Sequence, residues 1–105
     1  MSSSRQRLPN RRSHWLFQFE AGGQTYTGGV GRFTDGTIAE VFLNGCKAGS
    51  AADANAQDAA IVASLALQNG CPVRTLSHAL RRNNGSDGAL VILLTLAEAA
   101  RANDH

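Results

Sequence analysis

The sequence predicts an α+β domain, in which a three-stranded antiparallel meander is followed by two to three α-helices packed on one face. All six aromatic residues fall in the first half of the chain, whereas alanine and leucine dominate the second half. Because aromatic residues favour strands and alanine favours helices, the strands should precede the helices instead of alternating with them. A length of 105 residues suits one such domain.

The three strands are predicted from alternation and from turn residues. Residues 14–20 alternate between apolar and polar side chains, as a half-buried strand does. A second strand is predicted at 25–33, where several glycines indicate a bulge or a close backbone approach. A third is predicted at 38–43. The two hairpin turns are predicted at Gly22-Gly23 and Asp35-Gly36, whose glycines supply positive φ angles.

Three helices are predicted at about 54–68, 72–82 and 89–102. A glycine and then a proline separate the first two, which is the usual punctuation of a helix end followed by a helix start. The third is apolar on nearly all sides over residues 89–97. Such a run indicates deep burial or pairing with another protein, including a second copy of this chain.

The first helix should begin at a cap provided by Ser50 or Asp53. We predict that it covers the sheet with a broad apolar face made of its largest apolar side chains and neighbouring alanines. Ser64, inside this helix, is predicted to bond to the carbonyl four residues earlier. The predicted face consists of Ile61, Val62 and Leu65 with Ala59 and Ala66.

Charge is distributed unevenly, and the domain division follows it. Residues 1–12 are predicted to form a flexible basic arm, and residues 13–102 a single domain. The arm holds four of the ten basic residues, and no acid precedes Glu20. It can contact phosphates, hence nucleic acid, or an acidic partner surface; the alternative is a solvated, frayed terminus. The residues concerned are Arg5, Arg7, Arg11 and Arg12.

Several classes of function are not supported by any motif. No apolar run reaches the roughly 18 residues of a membrane span, and the chain start has no apolar signal region, so a cytoplasmic protein is predicted. Cys46 and Cys71 lack metal-ligand spacing and are predicted to be reduced thiols, and no metal site is expected. Glu40 is interpreted as a member of a structural ion pair with Lys47 or Arg32 more readily than as a catalytic acid. No catalytic residues are predicted.

The junction between the third strand and the first helix is the candidate ligand site. Backbone N–H groups at a helix start, aided by a lysine, can bind a phosphate, a nucleotide or a carboxylate. The residues predicted to do so are Gly45, Lys47, Gly49 and Ser50. The spacing is not that of a phosphate-binding P-loop. The alternative is a glycine turn in which Ser50 caps the helix and Lys47 is solvated.

One set of residues carries a family resemblance: Gly31, Asp35-Gly36, Glu40 to Leu43, Lys47 with Gly49-Ser50, Ser64 to Gln68, Gly70 and Pro72. With these features most of the chain, about residues 8–82, resembles the TSCPD domain family. The Thr-Ser-Cys-Pro-Asp string that names the family is absent from the corresponding stretch near residues 83–90.

This family is best known as a C-terminal piece of adenosylcobalamin-dependent class II ribonucleotide reductases. The resemblance therefore implies a stand-alone accessory domain without catalysis of its own, linked through a partner to deoxyribonucleotide synthesis and DNA replication. It implies no intrinsic cofactor, because adenosylcobalamin would belong to a reductase partner. The alternative is a small nucleic-acid- or nucleotide-binding protein that uses the arginines and the junction from Lys47 to Ser50.

Overall fold

The computed structural model describes residues 14–45, 47–81 and 87–102, and these form the predicted α+β arrangement. The predicted basic arm and Cys46 lie outside the described residues. Three strands come first and three helices follow. They are β1 (His14–Ala21), β2 (Gln24–Arg32), β3 (Ile38–Gly45), α1 (Ala51–Gln68), α2 (Val73–Leu80) and α3 (Ala89–Ala102).

The strands form an antiparallel sheet in the order β1-β2-β3. Gly22 and Gly23 form the first turn with φ angles of 59° and 80°, which confirms the predicted two-residue hairpin. Gly36, with φ of 91°, closes the second turn. The register shifts between Gly31 and Arg32, so the predicted irregularity is present in β2.

One face of the sheet carries the core, and a glycine brings α3 close to it. Phe17 of β1 lies opposite Gly28 of β2, and paired residues share a face. A Cβ atom placed on Gly28 would lie 2.8 Å from Leu93 Cδ1. The missing side chain therefore lets α3 lie against the strands, as the glycines of this strand predicted.

One side of helix α3 is buried within this one chain. Four of its side chains are enclosed, and three of them, Leu93, Leu94 and Ala97, join the core formed with the sheet and α1. The apolarity of residues 89–97 is thereby explained without a second molecule. Self-association through these residues stays a prediction that the fold does not require. The enclosed side chains are Val91, Leu93, Leu94 and Ala97.

The predicted buried face of α1 is wrong. Ile61, Val62 and Leu65 are 60%, 66% and 46% exposed. The helix instead buries smaller side chains, which recur at helical spacing and allow its backbone to approach β3 closely. The largest apolar residues of an alanine-rich helix thus point away from the sheet. The buried apolar residues are Ala56, Ala60, Ala63 and Leu67.

The ends of α1 follow the local signals. Ser50 is the N-cap, and its Oγ accepts the Asp53 N–H at 3.1 Å, so the helix starts three residues earlier than predicted. At the other end Gly70 has φ of 96°, and the Cys71 N–H donates to the Ala66 carbonyl at 2.9 Å. This Schellman arrangement confirms the predicted glycine stop. Pro72 then caps α2, which ends at Leu80, two residues earlier than predicted.

Candidate functional site

Polar side chains of α1 bond to the exposed edge of the sheet. β3 is an edge strand, so the backbone groups that point away from β2 need partners outside the sheet. Ser64 Oγ accepts the Val41 N–H at 2.9 Å and donates to the Val41 carbonyl at 3.1 Å. Gln68 Nε2 donates to the Ala39 carbonyl at 3.1 Å. The predicted bond from Ser64 to its own helix is therefore wrong, because the hydroxyl points at the strand.

Asp53 extends this pattern to the junction between β3 and α1. Its Oδ1 accepts the Gly45 N–H at 2.9 Å. Its Oδ2 accepts the Gly49 N–H at 3.1 Å and Gln57 Nε2 at 3.0 Å. The side chain is buried, and it ties the strand end, the turn and the helix start together.

The electrostatics of Asp53 follow from these bonds. The hydrogen bond from Gln57, followed by those from the Gly49 and Gly45 backbones, lowers the pKa of the Asp53 carboxyl below its usual 3.8. The carboxylate is therefore ionised at neutral pH. An anion that belongs to the chain already accepts two of the junction's N–H groups.

This arrangement bears on the predicted anion site. Of its four residues, Gly45 and Gly49 donate their N–H groups to Asp53, and the Ser50 side chain caps the helix. Lys47 is exposed beside them. The geometry matches the alternative of a glycine turn with a Ser50 cap. Anion or nucleotide binding by Gly45, Lys47, Gly49 and Ser50 stays a prediction, and an external anion would compete with the Asp53 carboxylate.

From the sequence we predict only a capping role for Asp53 and no role for Gln57 or Gln68. The spacing of polar residues in the sequence does contain a signal for these contacts. Ser50 and Asp53 have the Ser-x-x-acid spacing of a capping box, and the polar residues 53, 57, 64 and 68 fall at helical repeats beside the buried alanines. That stripe marks the side of α1 that meets the strand edge.

Arg32 and Glu40 occupy opposite faces of the sheet. The Arg32 guanidinium donates to the Gly36 carbonyl at 2.9 Å and to the Ala97 carbonyl of α3 at 2.8 Å, and lies 5.0 Å from the centre of the Trp15 ring. Glu40 lies over Gly31, where a Cβ would be 2.8 Å from its Oε2. Arg32 therefore links the second turn to α3 by hydrogen bonds, and its role is structural.

The surface away from the core carries the remaining feature, a set of exposed apolar side chains. Leu16 on β1 is 78% exposed and Phe42 on β3 is 46% exposed, and both lie on the outer face of the sheet. Ile61 and Phe42 line one small cavity between α1 and β3. We call these exposed apolar side chains the apolar strip. Its members are Leu16, Phe42, Ile61, Val62 and Leu65.

Among the described residues, no group of three or more His, Cys, Asp and Glu side chains could hold a metal ion. Nor is any helix in that part of the chain long and apolar enough to cross a membrane. The arginines predicted to contact nucleic acid or a partner, Arg5, Arg7, Arg11 and Arg12, fall outside the described ranges. Contact through them, and a cytoplasmic location, stay predictions.

The fold and junction define a small α+β domain in which α3 packs on one face of the sheet, α1 packs along the β3 edge and α2 packs against α3. Its sequence matches the model of the TSCPD domain over residues 4–100, so the chain belongs to the TSCPD domain family. The resemblance found in the sequence is thereby confirmed.

One relative is an enzyme of much greater length. The chain is 38% identical over 73 residues to a protein named vitamin B12-dependent ribonucleotide reductase from Agrobacterium fabrum (strain C58 / ATCC 33970). The matched region is 70% of this chain and 6% of that protein. This chain therefore corresponds to a small part of the reductase. No solved structure matches it.

Proposed function

We propose that this chain is an accessory domain, without catalysis of its own, that docks on a ribonucleotide reductase or another protein of deoxyribonucleotide synthesis. The observation that carries the proposal is the relative, in which a region like this one forms 6% of a reductase. A domain that accompanies a reductase within one chain can accompany it as a separate chain through a surface contact. The exposed apolar strip is a surface suited to such a contact.

Adenosylcobalamin chemistry, under this proposal, belongs to the partner. Besides the small cavity at Phe42 and Ile61, the described residues line an open cavity of about 410 Å³ beside Tyr26 and Asn55 and another of about 500 Å³ beside Cys71 and Arg74. A corrin with its nucleotide tail is much larger than either cavity. The residues present therefore do not fit that cofactor, and no step of its chemistry is assigned to them.

The test is capture of a partner by the tagged full chain from an extract of its native cell, followed by mass spectrometry. We expect recovery of a ribonucleotide reductase or another enzyme of deoxyribonucleotide synthesis. Reductase activity should change when the purified chain is added to the captured enzyme. Repeated recovery of proteins from unrelated processes only, with no effect on reductase activity, would overturn the proposal.

A second candidate is a nucleic-acid- or nucleotide-binding protein. Four arginines before the first acid favour it, because clustered basic residues neutralise phosphates. It predicts binding whose log K falls with log salt and which disappears when residues 1–12 are deleted. Binding that is unchanged by the deletion would exclude the arm as the contact.

A further inference from the structure

The apolar strip is continuous from the sheet to the helix. Gly29 lies between Leu16 and Phe42, and a Cβ placed there would be 2.9 Å from Leu16 Cδ2 and 3.9 Å from Phe42 Cδ2. The small cavity shared by Phe42 and Ile61 continues the strip onto α1. Of the six large apolar side chains exposed among the described residues, five belong to the strip, and Leu80 is the sixth. Clustering of this kind marks an interaction surface.

Among the described residues, the charged side chains on the elements that carry the strip are all acidic. β1, β3 and α1 contain no lysine or arginine. Glu20 is exposed and shares the outer face with Leu16, four residues away on β1. Asp58 is exposed on α1, three and four residues before Ile61 and Val62. Two copies meeting through the strip would place these acids near one another, whereas a basic partner would neutralise them.

The edge of the sheet excludes one mode of recognition. β3 is the strand next to α1, and its outward backbone groups at Ala39, Val41 and Gly45 bond to α1 side chains. A partner strand therefore cannot pair with β3 beside the strip. Recognition on the α1 side of the strip therefore uses side chains on an open surface, which is how amphipathic helices bind.

The dimensions of the strip agree with a helix. Neighbouring strands lie about 4.8 Å apart, so the strip crosses roughly 10 Å from β1 to β3. The width of α1 adds roughly 10 Å more. A helix of about 13 residues spans this distance at 1.5 Å per residue.

We propose that the apolar strip binds a cationic amphipathic helix of a partner protein, with its apolar stripe on Phe42, Ile61 and Leu65 and its basic residues near Glu20 and Asp58. The inference rests on the proposed function in that it describes the partner's contact. It adds the chemistry of the contact, which a relationship to a reductase does not specify.

The first test uses two synthetic 14-residue helical peptides with the same leucine stripe, one flanked by lysines and one by glutamates. Each is titrated into the isotopically labelled full chain, and binding is followed by NMR chemical-shift changes and calorimetry. We expect the lysine peptide to bind at least about ten-fold more tightly, with an affinity that falls as salt rises. Shift changes should centre on α1 and the outer face of β1 and β3.

Variants locate the site. Ile61→Asp should weaken binding of the lysine peptide by about ten-fold or more, because it places a charge in the apolar contact. Leu80→Asp is the matched control, since Leu80 is exposed on α2 outside the strip, and it should leave binding unchanged. Asp58→Lys should reverse the preference between the two peptides. Circular dichroism of each variant confirms that it is folded.

The second test uses the natural partner. A photo-crosslinking residue replaces Leu65, or Leu80 as the control, in the tagged full chain, and the crosslinked segment is identified by mass spectrometry of the native extract. We expect a segment with net positive charge and apolar residues at helical spacing, from position 65 and not from position 80. An acidic segment, a second copy of this chain, or its own first thirteen residues would overturn the inference.

The inference about the contact and the proposed function can fail separately. A basic amphipathic segment from a protein unrelated to nucleotide metabolism would uphold the inference and contradict the proposed function. A reductase crosslinked only from position 80 would do the reverse. Equal binding of both peptides, binding of neither, or shift changes confined to α2 would overturn the inference.

Discussion

Ser64 and Val41 form a reciprocal pair of hydrogen bonds across the α1–β3 contact: the serine hydroxyl accepts the Val41 N–H at 2.9 Å and donates to the Val41 carbonyl at 3.1 Å. One side chain thereby replaces the neighbouring strand that the sheet lacks at this edge. The contact orients α1 about its axis. That orientation buries the alanines and turns Ile61 and Leu65 outward.

Ser64→Ala should therefore destabilise the domain. Two buried backbone groups lose their partner, which costs roughly 1–3 kcal/mol of unfolding free energy. Thr75→Ala, at an exposed position of α2, is the control for adding alanine to a helix. Urea unfolding of both variants measures the effect. Equal stability of the two variants would show that the Ser64 bonds contribute nothing.

Asp53→Asn should destabilise the domain in a pH-dependent way. The folded-state pKa of Asp53 is lowered, so its stabilising effect is present above the unfolded value of 3.8 and is lost as pH falls through the lower folded value. The difference in melting temperature between wild type and variant should thus be largest near neutral pH and shrink below about pH 4. Asp58→Asn, exposed on the same helix, controls for loss of a carboxylate from α1. A wild-type–variant difference that does not shrink at all between neutral pH and pH 2 would contradict the linkage.

Gly28→Ala should disturb the packing of α3. The new Cβ would lie 2.8 Å from Leu93 Cδ1 and 3.3 Å from Leu43 Cδ1, and overpacking of this kind costs roughly 1–3 kcal/mol. Gly88→Ala meets nothing within 4 Å and should have little effect on stability. Thermal unfolding of the pair makes the comparison. If Gly28→Ala had the same melting temperature as wild type, α3 would have to lie farther from the sheet.

The junction gives a prediction for ligands. Because Asp53 already accepts the Gly45 and Gly49 N–H groups, the alternative of a glycine turn predicts that inorganic phosphate or nucleotides at millimolar concentration leave the melting temperature unchanged. A shift that disappears in Lys47→Ala would instead support the predicted anion site at Gly45, Lys47, Gly49 and Ser50.

The elements of this fold could be predicted because their signals are local. Trp15, Phe17 and Phe19 alternate, Gly22-Gly23 can adopt a tight hairpin, and Gly70 stops a helix whatever lies nearby. These features depend on neighbours in sequence. The class of the fold, the order of its elements and most of their bounds follow from them.

The orientation of α1 could not be predicted in the same way, because it depends on the shape of what the helix packs against. An alanine-rich helix has two sides that could be buried, and hydrophobicity favours the side of Ile61 and Leu65. Close approach to a strand edge favours Ala60 and Ala63 instead, with Ser64 beside them to bond to the strand. The roles of Asp53 and Gln68 follow from that contact, so they emerge only in the folded chain.

The central claim is that α1 packs on β3 through its alanines and presents Ile61 outward. The most direct measurement compares the unfolding free energies of Ile61→Asp and Ala63→Asp. We expect Ile61→Asp to lie within about 1 kcal/mol of wild type, because its side chain is exposed. Ala63→Asp should lose more than roughly 3 kcal/mol or fail to fold, because it buries an unpaired charge. The opposite ranking would contradict the orientation of α1 and remove the basis of the apolar strip.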